Sequence, residues 1–150
     1  MINLTNDERW MLYALKEANK ALKMDEVPIG AIIINENKII GRGFNQVENL
    51  NDSTAHAEII AITSAANTLN DWRLNNCSIY VTKEPCLMCF GAIINSRIEK
   101  IFFGSIDLDK GFRKVYNKTD FLTPHLNYIG SKILEPDCKK IIQDFFKKKR

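Results

Sequence analysis

The stretch Ser78-Ile79-Tyr80-Val81-Thr82-Lys83-Glu84-Pro85-Cys86-Leu87-Met88-Cys89 changes character in the middle, and that change decides the architecture. Ser78 to Thr82 is rich in β-branched and aromatic side chains, which predicts a strand. Pro85 suits the first position of a helix, where its missing N–H would have had no partner, and the helix it opens is predicted to run to near Ser96. Lys100-Ile101-Phe102-Phe103-Gly104 then reads as a short buried strand. Strand, helix and strand in succession imply a helix crossover, and therefore helices layered on a sheet in an α/β/α sandwich.

The same stretch concentrates the chemistry. Cys86 and Cys89 are three residues apart on the predicted helix, neighbours on one face. Two thiolates there supply half of a tetrahedral zinc shell, and the positive end of the helix dipole favours their deprotonated form. His56 is the best further ligand. Ser53 and Thr54 are good N-cap residues, and Ala55 onward (Ile59, Ile60, Ile62, Thr63, Ala66, Leu69) recurs as a buried helix would. Residues two apart on a helix point roughly 200° apart, so His56 and Glu58 converge only on a point in front of the first turn. The expected arrangement is two helix N-termini facing each other across a cation held by His56, Cys86 and Cys89, with Glu58 unligated.

Three protein ligands with an open fourth position make a catalytic metal site, whereas a filled shell is structural. Two thiolates formally cancel the charge of Zn2+, which makes a nearby base useful, and Glu58 is placed to be one. H-x-E with P-C-x-x-C is itself a known signature of zinc-dependent deaminases, matched here at every specified position. Each half alone is weak, because C-x-x-C also marks redox dithiols and structural zinc. The competing reading is a structural site closed by His125, Cys77 or Cys138. Cys77 precedes a strand and Cys138 lies on the apolar face of the last helix, so both read as core thiols. His125, after Pro124, reads as a surface or cleft residue.

Outward from this centre, Thr5 and Glu8 form a capping box for a first helix with an apolar stripe of Trp10, Met11, Ala14, Leu15, Ala18, Ala21 and Leu22. Ala31 to Ile34 and Lys38 to Gly41 flank the polar turn Asn35-Glu36-Asn37 and predict a hairpin. An Asn-rich loop from Asn45 to Ser53 leads into the His56 helix. Asp107 to Lys118 is either a short helix or a substrate loop, with Phe112 and Tyr116 as scattered aromatics, and Asn127 to Leu134 holds a last strand. The final helix has an apolar face (Cys138, Ile141, Ile142, Phe145, Phe146) and a basic one (Lys139, Lys140, Lys147 to Arg150).

The 150 residues, 45% hydrophobic and 26% charged, suit one domain, 1–150. No apolar run reaches membrane-spanning length and Met1-Ile2-Asn3-Leu4 lacks the plan of a secretory signal, so a cytoplasmic protein with no membrane partner is expected. Four cysteines, two spaced as ligands, fit reduced thiols. The net charge of +3 permits an RNA partner without demanding one.

With its motifs placed, the chain resembles the bacterial tRNA-specific adenosine deaminases, members of the cytidine-deaminase-like zinc fold. Besides the two metal motifs, the likeness rests on Val27-Pro28-Ile29-Gly30-Ala31, Gly41-Arg42-Gly43-Phe44-Asn45, Trp72-Arg73-Leu74, Gly91-Ala92-Ile93-Ile94, Ser96-Arg97-Ile98 and Asp144-Phe145-Phe146. It implies a three-layer α/β/α sandwich on a mixed sheet of about five strands, with one Zn2+ per subunit of a homodimer whose protomers build the sites together. The implied reaction converts adenosine to inosine at the wobble position of a tRNA anticodon stem-loop, with zinc-activated water and Glu58 as proton shuttle. By the same likeness Asn45 hydrogen-bonds the flipped base, Asp107 lies beside the sugar, and Val27, Ala57 and Phe145 complete the substrate-binding set. The chain departs from the family at Lys83, where an apolar residue is usual, in the bulkier and more basic Gly111 to Lys118, and at Tyr128, where a His is usual. The alternatives are a nucleoside or free-base deaminase, of cytidine or guanine type, using the same metal site, and a non-catalytic zinc-stabilised RNA-binding module.

Overall fold

The computed structural model describes residues 3–115 and 123–150. Helix α1 (Asn6–Lys23) is followed by the hairpin β1 (Gly30–Asn35) and β2 (Lys38–Phe44). Next come the short α2 (Val47–Leu50), α3 (Ala57–Leu69), β3 (Cys77–Lys83), α4 (Leu87–Asn95) and β4 (Lys100–Ser105). The chain ends with β5 (Tyr128–Gly130) and α5 (Glu135–Lys149). The sheet is mixed, in the order β2-β1-β3-β4-β5. β1 pairs antiparallel with β2 and β3, while β3, β4 and β5 are parallel.

The predicted sandwich is present, and strand periodicity explains it. Side chains alternate across a strand, so Ile32 and Ile34 of β1 meet Met11, Ala14 and Cys138 on the α1 and α5 side. Ala31 and Ile33 meet Ala57, Ala61, Phe90 and Ile93 on the α3 and α4 side. The capping box of α1 forms as expected: the Glu8 N–H donates to Thr5 Oγ1 at 3.1 Å and the Thr5 N–H donates to Glu8 Oε1 at 2.8 Å. Glu36 and Asn37 form the hairpin turn, both at positive φ (50° and 61°), as a two-residue turn with the strands' own twist requires.

Three local readings are corrected, and the segment from Asp107 is resolved in its described part. Each metal motif straddles a helix start, with Glu58 and Cys89 inside the helices: His56 and Cys86 are themselves the N-caps of α3 and α4, so Ser53 and Thr54 cap nothing and Pro85 precedes the cap. The buried face of α3 is Ala57, Glu58, Ala61 and Ala65 and not the isoleucines, because small residues let the helix lie close on β2. The Asn-rich loop holds a turn of helix, α2. In the segment from Asp107, a turn is followed by one 3-10 turn (Phe112–Lys114), and Phe112 is fully buried, stacked on Phe90 with ring centroids 4.3 Å apart. The readings on residues 116–118 lie outside the described residues.

Candidate metal centre and cleft

α3 and α4, on the same side of the sheet, bring their N-caps His56 and Cys86 to one point. At each N-cap the backbone is extended (φ −76°, ψ 153° at His56; φ −73°, ψ 173° at Cys86), which swings the side chain over the open end of the helix. His56 Nδ1 lies 3.6 Å from Cys86 Sγ and 3.4 Å from Cys89 Sγ. All three donor atoms lie within 4.8 Å of one another. Zinc bond lengths to nitrogen and sulfur, at a tetrahedral angle, put N and S about 3.6 Å apart, so this donor set fits the ion without rearrangement.

The three donors perturb one another's protons. The hydrogen bond from the Cys89 thiol, working against burial and aided by His56, pulls the Cys86 thiol down to about 4. The same bond, together with burial, pushes Cys89 upward. The bond to Cys86 raises His56 although desolvation opposes it. Glu58, 4% exposed, is pushed up to about 7, chiefly by burial and then by the charge of Cys86. Among the described residues the donor group contains no fourth ligand. Cys77 and Cys138 are buried elsewhere, and His125 is exposed in its loop.

The donors lie in the wall of a cleft of about 850 Å³, which His56, Glu58 and Cys86 line and Cys89 does not. Val27, Asn45, Ala57, Asp107 and Phe145 all line the same cleft. Asn45 is 8% exposed and its Nδ2 donates to the Val27 carbonyl at 3.3 Å, which fixes the amide plane. Asp107 Oδ1 accepts the N–H groups of Asp109 and Lys110 at 3.0 and 2.9 Å, while Oδ2 pairs with Lys83 Nζ at 3.2 Å. Burial alone would raise the Asp107 carboxyl, but the Lys110 N–H and Lys83 outweigh it and hold the group low. Phe145 and Lys149 bring the end of α5 to the rim, where Lys149 Nζ meets Asp25 at 2.7 Å.

Two buried carboxylates had no role in the sequence reading. Glu84 accepts the N–H groups of Asp107 and Arg113 and the Arg113 guanidinium (3.1, 3.1 and 3.2 Å), tying the Asp107 turn to the start of α4. Glu26 accepts the N–H groups of Glu48 and Asn49 (3.1 and 2.7 Å) and so holds α2 at the cleft. The available signal was an acidic residue between apolar elements, which must find donors when buried; the partners themselves are remote in sequence.

The model of the MafB19-like deaminase family matches residues 5–150. A tRNA-specific adenosine deaminase from Buchnera aphidicola (Schizaphis graminum) is 47% identical over 148 residues, 96% of each chain. A solved structure from a study of A-to-I editing by tRNA:A34 deaminases at the wobble position superposes with a TM-score of 0.81. It is 36% identical and covers 89% of this chain and 98% of that one. A guanine deaminase from Bacillus subtilis is similar over less of the fold, with a TM-score of 0.67, 32% identity and 79% of each chain.

Proposed function

Because the chain belongs to the tRNA-specific adenosine deaminases of the MafB19-like family, we propose that it hydrolyses adenosine to inosine at the wobble position of a tRNA anticodon. One Zn2+ per subunit, held by His56, Cys86 and Cys89, would supply the Lewis acid that makes water nucleophilic near neutral pH. Glu58 moves the protons. Burial leaves its carboxyl near 7, so it can accept a proton from the attacking water and pass it to the adenine ring, then accept the proton of the new C6 hydroxyl and pass it to the departing amine, which leaves as ammonia. Asn45, with its amide plane set by the Val27 carbonyl, directs its remaining polar atoms to the base. Ala57 and Phe145 offer apolar contact, and Asp107 faces the sugar.

The observation that carries this reading is the convergence of three donors and one unligated, buried carboxylate in the wall of a cleft wide enough for a flipped nucleoside. The anticodon stem-loop suits such a cleft, since its loop bases are unstacked. We further propose a cytoplasmic homodimer; no helix among the described residues is long and apolar enough to cross a membrane. The first turn of α4 leaves Leu87 and Met88 exposed beside the metal donors, which supports an interface there.

The test is to incubate the metal-loaded protein with an anticodon stem-loop bearing a wobble adenosine, and separately with free adenosine, cytidine and guanine. Inosine in the stem-loop is the expected product; turnover of the small molecules alone would assign the chain to the guanine or cytidine type. Glu58→Gln should lose about 10²–10⁴ in rate while keeping its metal. An unchanged rate in that variant would remove the proton shuttle from the reading.

A further inference from the structure

We propose that Lys83 is a phosphate-positioning residue: its ammonium, presented at the cleft wall by Asp107, takes a backbone phosphate of the RNA beside the reacting nucleoside. This rests on the RNA substrate proposed above and adds a residue to its recognition.

The argument begins with strand periodicity. Ile79 and Val81 of β3 lie in the core on the α3 and α4 side of the sheet, and Lys83, two residues on, projects to that same side. The alternation calls for a third apolar side chain there, and the chain supplies a cation instead. The Lys83 side chain is 31% exposed and its ammonium pairs with Asp107 Oδ2 at 3.2 Å. An ion pair that still touches solvent contributes little to the stability of a fold, so packing does not account for a lysine at this place.

Its surroundings point to an anion. Lys83 and Cys86 line the same cleft, so a nucleotide whose base reaches the metal donors passes this wall with its phosphates. The neighbouring carboxylates are already engaged: Glu26 by the α2 N–H groups, Glu84 by Arg113, and Asp25 by Lys149. Asp107 is itself pinned by the Asp109 and Lys110 N–H groups, so its ion pair holds the Lys83 ammonium at a fixed point of the cleft wall. An ammonium carries three donors, and two remain for a phosphate. Because the side chain is already ordered, binding loses less rotamer freedom than it would with a free lysine.

The experiment is a charge-neutralisation cycle. Steady-state kinetics of the metal-loaded wild type, Lys83→Met and Lys83→Arg are measured on an anticodon stem-loop, and on two copies carrying an uncharged methylphosphonate immediately 5′ or 3′ of the wobble adenosine. Lys83→Met should raise KM about tenfold with kcat nearly unchanged, the loss of one charged hydrogen bond. It should also make the slope of log KM against log salt shallower by about 0.7, whereas Lys83→Arg should keep the slope. One methylphosphonate should cost the wild type a similar factor and cost Lys83→Met nothing more. Equal losses in wild type and Lys83→Met on both modified substrates, or an unchanged KM and slope, would overturn the proposal while leaving the deaminase reading intact. A wild type that converts free nucleosides or bases but no stem-loop overturns both. If Lys83→Met fails to hold its metal, Lys83→Gln is read in the same way.

Discussion

His56 and Cys86 occupy positions that in most helices spend a side chain on the first free N–H groups, and neither does so here. Forgoing a cap costs a helix about 0.5–2 kcal/mol, and in return each side chain is free to bind what stands in front of the helix. Glu26 shows the opposite use of a carboxylate. Gln46, the N-cap of α2, makes no side-chain cap, and Glu26 reaches in from the loop after α1 to accept the N–H groups of Glu48 and Asn49 in its place. Burial would raise the Glu26 carboxyl, but the Asn49 backbone and side-chain bonds and the Glu48 N–H outweigh it and hold the group below its ordinary 4.5. A depressed folded-state value contributes stability above the unfolded value, and that contribution disappears as pH falls through the folded one. Glu26→Gln should therefore lower stability by about 1–3 kcal/mol at pH 7. The gap from wild type in urea unfolding should stay constant down to about pH 5 and close below it. A gap that persists undiminished at pH 3 would show that the ionised carboxylate is not its source.

At the scale of elements, the height of α3 above the sheet sets where His56 stands. Ala57, Ala61 and Ala65 face β2 at Gly41 and Gly43, and a Cβ added at Gly43 would overlap the Ala57 carbonyl and the Ala61 nitrogen. The obstacle is helix backbone, which cannot rotate away as a side chain would. Gly43→Val should cost about 1–3 kcal/mol or more, the penalty of overpacking a filled core. It should also weaken metal retention, because Ala57 follows His56 directly. Thermal melting and metal content after dialysis measure the two effects; a variant that melts lower yet keeps full metal would separate helix height from ligand placement. In the sequence, Ile59, Ile60, Ile62, Thr63, Ala66 and Leu69 recur as a buried helix would, since hydrophobicity alone favours the larger residues. Ile62 packs against the core only in part, and the close approach of two backbones selected alanine for the contact itself.

At the scale of the whole molecule, the layers leave apolar surface where α4 begins, beside the candidate metal donors. Leu87 and Met88, 49% and 38% exposed, stand in the first turn of α4, and no side chain of the described residues approaches Gly91 one turn further on. In the proposed homodimer this turn is covered by the partner subunit. Aspartate near a helix N-terminus is favourable for the isolated helix, so Leu87→Asp combined with Met88→Asp should leave the protomer folded while sedimentation velocity shows it monomeric. Its deaminase activity should fall with the loss of the partner. A variant that still sediments as the wild-type dimer would move the interface to another face.

What the sequence determined by itself was what is local in the chain: the capping box at Thr5, the hairpin turn, the strand, helix and strand around Pro85, and the paired metal motifs. Each depends on neighbours within a few residues, and periodicity and turn chemistry report such neighbours directly. Tertiary structure alone decided that His56 and Cys86 are caps and not helix residues, that Glu26 completes α2 and Glu84 the Asp107 turn, and that Lys83 reaches Asp107 at the cleft. These contacts join residues 22 to 30 positions apart. Burial is what enforces them, because a polar group withdrawn from water must find its partner wherever the fold brings one.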